Sequence, residues 1–93
     1  MIGRRRVAVL VDVYTRERCG LCVEAERIVT TEARGATIRR IDIDADPELQ
    51  LRYNLRVPVV VVDGTEVAEG RVVPGVVRAA LRAVRRRAPS RVA

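Results

Sequence analysis

Val7-Ala8-Val9-Leu10-Val11-Asp12-Val13-Tyr14-Thr15-Arg16-Glu17-Arg18-Cys19-Gly20-Leu21-Cys22 decides how this chain folds. Val7 to Tyr14 is almost continuously apolar, the pattern of a strand covered on both faces. Thr15 to Arg18 is a polar turn. Val23 to Ala33 then carries Ala25, Ile28 and Val29 at helical spacing, and Gly35 is placed to end that helix. Cys19 therefore falls where a strand hands over to a helix N-terminus. Cys19 and Cys22 are the only cysteines, and random placement would give that spacing only about one time in fifty. Taken alone, the spacing suits a reversible dithiol/disulfide pair or half of a tetrahedral metal site.

Working outward, Thr37 to Ile43 reads as a second strand, with Ile41 and Ile43 on one face. Asp46-Pro47 starts a short helix, Asp46 as cap and Pro47 at the first helical position, running out near Tyr53-Asn54. Val57 to Val62 is a third strand. Asp63-Gly64 is the dipeptide of a type I′ hairpin, which pairs Thr65 to Ala68 antiparallel with it. Pro74 is expected to open a last helix with Val76, Val77, Ala80, Leu81 and Val84 as its apolar stripe, ended by Ala88-Pro89-Ser90. The order β-α-β-α-β-β-α predicts an α/β thioredoxin fold, a central mixed four-stranded sheet flanked by helices. Residues 1–93 read as one domain, with a core over about 7–87.

Composition narrows the chemistry. Phe, Trp and His are absent, the only aromatics are Tyr14 and Tyr53, and all eighteen basic residues are arginine. Without histidine there is no Ser/His or Cys/His pair and no His-containing metal site. Two cysteines supply half the ligands of a zinc or iron–sulfur centre, so metal binding would need a bridged dimer or an external thiol. The net charge of +6 is concentrated in Arg4-Arg5-Arg6 and in Arg82, Arg85, Arg86, Arg87 and Arg91. No aromatic side chain is interleaved there to stack bases, so these clusters are expected to be solvated surface and not a nucleic-acid site. Asp12 interrupts the first apolar run after Val7 to Val11, short of the seven to fifteen or so residues of a signal h-region. No run reaches transmembrane length. The expected compartment is the cytoplasm, where a close cysteine pair is more often catalytic or metal-binding than a structural staple.

At a helix N-terminus Cys19 meets unpaired N–H groups and the positive end of the macrodipole, and Arg16 and Arg18 add charge. Such surroundings bring a thiol from about 8.5 to between roughly 3.5 and 7.5. Cys22, one turn further in, is more shielded. The expected roles are Cys19 as the attacking thiol and Cys22 as the resolving one. Pro58 has two readings. It is either a proline at the first position of a strand or a cis residue beside the dithiol that leaves the Val57 backbone free for an extended substrate.

Tyr14 to Cys22 together with Arg56-Val57-Pro58 resembles the glutaredoxins of the thioredoxin superfamily. With Glu24-Ala25 and Asp42-Ile43-Asp44-Ala45-Asp46-Pro47-Glu48-Leu49, the chain is similar to the small bacterial glutaredoxin-like family over about residues 7–84. The resemblance implies a thiol–disulfide oxidoreductase that holds no bound cofactor. Cys19 and Cys22 are its catalytic pair and Pro58 is cis. Arg16, Val57 and Gly70 join Pro58 in substrate binding. Implied partners are protein or low-molecular-weight disulfides, with glutathione or a reductase as electron donor. The chain departs from glutaredoxins in having Gly20-Leu21 where they carry Pro-Tyr. At Glu69 to Pro74 it matches their Gly-Gly pair only at Gly70. The competing expectation is a thioredoxin-fold binding module without turnover, or a metal-bridged dimer through the same cysteines.

Overall fold

The computed structural model describes residues 8–87. Val7, the terminal arginines Arg4 to Arg6 and Arg91, and the expected stop at Ala88-Pro89-Ser90 lie outside the described residues. Four strands and three helices follow in the predicted order: β1 (Leu10–Thr15), α1 (Gly20–Glu32), β2 (Thr37–Asp42), α2 (Pro47–Tyr53), β3 (Val59–Val62), β4 (Thr65–Glu69) and α3 (Val76–Arg87). A single 3₁₀ turn, Ile43–Ala45, separates β2 from α2. The sheet order is β2-β1-β3-β4. β1 is parallel to β2 and antiparallel to β3, and β3 and β4 form the hairpin. This is the mixed four-stranded sheet of a thioredoxin fold.

Alternation along the central strands sorts side chains onto two faces. Val11 and Val13 of β1 join Val60 and Val62 of β3 under α1 and α3, against Ala25, Ile28, Val29, Val77, Leu81 and Val84. On the opposite face Val59, Ile43 and Tyr53 form a smaller cluster that Tyr14 and Val61 complete. The Tyr14 and Tyr53 rings stack there, with centroids 4.4 Å apart. Asp12 lies on that face too. It is buried, and it accepts two hydrogen bonds from the guanidinium of Arg39, its direct cross-strand neighbour, at 2.8 and 3.1 Å. Among the described residues no buried side-chain polar atom lacks a partner.

The hairpin turn follows the expected chemistry: Asp63 and Gly64 both have positive φ (53° and 84°), and Val62 pairs with Thr65. Asp46 caps α2 by accepting from the Glu48 N–H at 2.9 Å, and Pro47 opens the helix.

Several boundaries differ from the sequence expectation, and three of them have a specific cause. β2 stops at Asp42, whose side chain accepts from the Asp44 N–H at 3.0 Å. That starts the 3₁₀ turn and drops Ile43 out of the strand into the core beneath α2. α1 closes at Glu32, with Ala33 as its last cap, and Gly35 (φ 82°) instead turns the chain toward β2. α3 begins after Pro74, because Gly75 (φ 101°) takes the cap position and its carbonyl accepts the first helical bond from Ala79.

That late start is fixed by a side chain from another helix. Glu32, the last residue of α1, accepts from the Gly75 N–H at 2.7 Å and the Arg78 N–H at 3.0 Å. These are the cap and third-residue donors that a helix cannot satisfy by itself. The carboxylate also sits at the positive end of the α3 macrodipole. Its side chain is only 5% exposed, so water is a poor substitute. Glu32→Ala is therefore expected to destabilise the protein by about 2 kcal/mol, as loss of a cap and of charged hydrogen bonds. Urea denaturation checks this, and a loss below about 0.5 kcal/mol would remove Glu32 as the clasp between α1 and α3.

Candidate active site

β1 delivers the chain to the site end of the sheet, where Tyr14 pairs with Val59 at the start of β3. Residues 16–19 follow as a tight turn, in which Arg18 adopts left-handed φ (58°). For a non-glycine residue that conformation costs about 1 kcal/mol. The turn leaves Cys19 extended (φ −124°, ψ 105°) as the N-cap of α1.

Cys19 and Cys22 are joined in a disulfide, with Cα atoms 5.2 Å apart. Cys22 is 1% exposed and belongs to the buried side of α1, whereas Cys19 is only half-buried. Sγ of Cys19 accepts from the Cys22 N–H at 3.2 Å, so the sulfur itself serves as the helix cap. The Cys19 carbonyl accepts from the N–H groups of Cys22 and Val23, both at 3.1 Å. No acidic residue lies in the first turn of α1 to oppose negative charge on that sulfur. The next acid along, Glu24, has its carboxyl held below the usual range by a hydrogen bond from Arg27. Arg71 lowers it further from across the β4–α3 loop.

Val57 and Pro58 lie at the same end of the sheet. Their peptide bond is cis, Pro58 is buried, and its carbonyl accepts from the Gly70 N–H at 2.8 Å. Gly70 (φ 68°) is thus joined to Pro58 by the backbone. The Val57 N–H donates to the Tyr53 carbonyl at 3.1 Å.

Arg16, expected to add positive charge near the thiol, has its guanidinium engaged by partners from two other elements. Its Nε and Nη2 form a bidentate pair with Asp44 at 3.1 and 2.6 Å. Nη1 donates to both the backbone oxygen and Oδ1 of Asn54, at 3.2 and 2.8 Å. The guanidinium is committed to the 3₁₀ turn and the end of α2. Neither Asp44 nor Asn54 stands out in the sequence as a site residue: Asp44 lies in the acidic run from Asp42 to Asp46, and Asn54 marks the expected end of the short helix. Glu26 is missed as well. It accepts from the buried Thr15 hydroxyl at 3.1 Å and from Arg40 at 3.2 Å, tying the end of β1 to α1.

With this geometry in view, comparison with known proteins defines the class. Solved structures that resemble the chain include thioredoxins, among them a single-residue mutant of thioredoxin from Halobacterium salinarum. It is 30% identical, with TM-score 0.51, and the match covers 85% of this chain and 73% of that one. The fold class is thus thioredoxin-like. More narrowly, the chain belongs to the glutaredoxin-like domain family (DUF836), which matches residues 10–82. Two structural-genomics targets are similar over nearly their whole length. XcR50 from X. campestris is 32% identical, with TM-score 0.67, covering 78% of this chain and 96% of that one. Ne2328 from Nitrosomonas europaea is 28% identical, with TM-score 0.64, covering 85% and 98%. No curated protein matches the chain. Among the described residues no group of three or more potential metal ligands is assembled, and no helix is long and apolar enough to cross a membrane.

The Arg16–Asp44 pair has a measurable signature. The hydrogen bonds from Arg16, and next that from Gln50, hold the Asp44 carboxyl at about 2, below its ordinary 3.8. A depressed carboxylate contributes stability that is present above the unfolded value and lost as pH falls through the folded one, here between 3.8 and about 2. NMR titration of the Asp44 side-chain carbon should show that midpoint in the parent protein. In Arg16→Ala it should move up toward 3.8. An unchanged midpoint would mean that the pair does not persist in solution.

Proposed function

We propose that the protein is a thiol–disulfide oxidoreductase working by dithiol exchange, with Cys19 as nucleophile and Cys22 as resolving thiol. The observation that carries this reading is the asymmetry of the pair. Cys19 is the half-exposed cap of α1 and Cys22 is buried one turn further in. In the reduced protein the N–H that reaches Cys19 Sγ and the positive end of α1 favour its thiolate.

The thiolate attacks one sulfur of a substrate disulfide, forming a Cys19–substrate bond as the substrate S–S bond breaks. The departing sulfur leaves as a thiolate and takes a proton from water. Cys22, deprotonated in turn, attacks Cys19 Sγ, and the second substrate thiol is released. Two electrons pass to the substrate, and the protein is left with the Cys19–Cys22 disulfide. Two glutathione molecules, which leave as glutathione disulfide, or one dithiol reductase supply the two electrons that restore the starting state. No metal or bound cofactor is needed for either step.

Two observations support protein disulfides as the substrate. Leu21 and Val23, on either side of Cys22, are exposed apolar residues, and Val73 stands exposed in the β4–α3 loop. They supply the rim on which a polypeptide would lie. Substrate alignment along Val57-Pro58 rests on the Val57 carbonyl, because its N–H is already engaged. Glutathione, as reductant, has to displace Asp44 before Arg16 receives a carboxylate. Gly70 would contribute backbone and no charge. The reducing cytoplasm is the compartment that suits such a cycle.

The roles are separable by single substitutions. Cys19→Ser should reduce turnover of a small disulfide substrate by a hundredfold or more. Cys22→Ser should accumulate a mixed disulfide on Cys19, seen by mass spectrometry as the added mass of one substrate half. If both variants retain parental turnover, the dithiol mechanism is wrong. If the adduct forms on Cys22 in Cys19→Ser and none forms in Cys22→Ser, the two roles are reversed.

A further inference from the structure

The outer face of α3 is built against the interest of its own helix. Its sequence, Val76-Val77-Arg78-Ala79-Ala80-Leu81-Arg82-Ala83-Val84-Arg85-Arg86-Arg87, contains no acid. Arg78, Arg82 and Arg86 succeed one another at i,i+4, and Arg85 lies beside them at i+3 from Arg82. Like charges at these spacings destabilise a helix. Arg78 also stands in the first turn, where the macrodipole disfavours a cation. Arg85, Arg86 and Arg87, in the last turn, gain from the dipole, whereas Arg78 and Arg82 do not.

The surroundings compensate only a small part of this charge. Arg78, Arg82, Arg85 and Arg86 line a shallow groove of about 560 Å³ with Leu81 and Glu32. Glu32 is the one carboxylate there, and its oxygens are already taken by the Gly75 and Arg78 N–H groups. The Arg78 guanidinium lies 3.7 Å from it. Arg85 donates to the Arg34 carbonyl at 2.9 Å, which fixes its position without cancelling its charge and brings Arg34 to the edge of the patch. Among the described residues, Arg82 and Arg86 have no carboxylate within ion-pair reach.

We propose that this face is a docking surface for an acidic helical segment of a partner protein. The argument is charge complementarity. Arg78 to Arg86 spans about 12 Å of helix, and a second helix with Glu or Asp at i,i+4 presents carboxylates at the same interval. Guanidinium groups meet carboxylates in bidentate pairs, and docking removes the repulsion along α3. Nucleic acid fits less well. The only two aromatic side chains, Tyr14 and Tyr53, are stacked in the cluster on the opposite face of the sheet, so none is available for base stacking. A bilayer also fits less well, because Val77, Leu81 and Val84, the apolar stripe of α3, are buried in the core. The groove lies at Glu32, the far end of α1 from Cys19 and about 20 Å along the helix axis. A partner held there leaves the cysteine pair open.

The test is fluorescence anisotropy with a labelled helical peptide carrying Glu at i,i+4 along one face, titrated with the full chain. Saturable binding is expected at 50 mM salt, weakening at least tenfold by 300 mM. The double variant R82E/R86E should lose at least tenfold in affinity without a fall in melting temperature. It should regain binding to a peptide with Arg in place of Glu. The pair R27E/R52E has the same net charge with its reversals placed elsewhere, and should bind within twofold of the parent. Three results would overturn the proposal: no saturable binding at 50 mM salt, an equal loss in R27E/R52E, or displacement of the peptide by a single-stranded oligonucleotide or anionic vesicles more effectively than by unlabelled peptide. Because the readout involves neither thiol, a failed dithiol mechanism and a failed docking surface give different results.

Discussion

β1 is hydrogen-bonded on both edges, to β2 and to β3, and covered on both faces. A strand so confined cannot shift register by one residue without turning Val11 and Val13 out of the larger core. Its end is therefore fixed, and with it the place where Cys19 emerges. The same pairing sets Val59 against Tyr14, so Pro58 begins where β1 stops. Gly70 is carried to Pro58 by the β3–β4 hairpin and the hydrogen bond that closes it. Thr15, wholly buried and donating to Glu26, stiffens the last residue before the turn. The site end of the molecule follows from one strand that has nowhere else to go.

Electrostatics then divides the arginines by partner. Those facing the sheet and α2 are matched: Arg39 with Asp12, Arg40 with Glu26, Arg16 with Asp44, and Arg56 with Glu66 and Glu69. Most of these pairs are partly exposed, where each contributes little to stability. Their consequence is positional, since each guanidinium is held in one geometry. The arrangement on α3 is the opposite, with several cations around one carboxylate that is already engaged. A net charge of +6 distributed evenly would give neither pattern.

Most of the fold was legible because it is written in local signals: the apolar runs of β1 and β3, Asp46-Pro47, and Asp63-Gly64. The cysteine pair at the strand-to-helix junction was legible for the same reason. What the sequence did not disclose depends on contacts between residues far apart in the chain. Pro74 alone points to the start of α3, whereas Glu32, over forty residues earlier, moves it to Gly75. Arg16 reads as a charge near the thiol because nothing local shows that Asp44 and Asn54 will hold it. In each case a side chain or backbone group had two plausible partners, and tertiary geometry chose the one remote in sequence.

The two long helices of the larger core meet the same physical problem at their N-termini and solve it differently. Each presents N–H groups with no helical acceptor. At α3 the acceptor is a buried carboxylate, which satisfies the donors and locks the helix to α1. At α1 the acceptor is the sulfur of Cys19, a weak one in the disulfide and a far better one as a thiolate. A carboxylate cap would stabilise α1 more, but it would consume the donors and place negative charge beside the sulfur. The weaker cap leaves the N-terminus of α1 able to gain an anion when the disulfide opens. The strength withheld from α1 is supplied at its other end, where Glu32 joins it to α3. On the proposed dithiol mechanism, stability and reactivity thus fall at opposite ends of one helix.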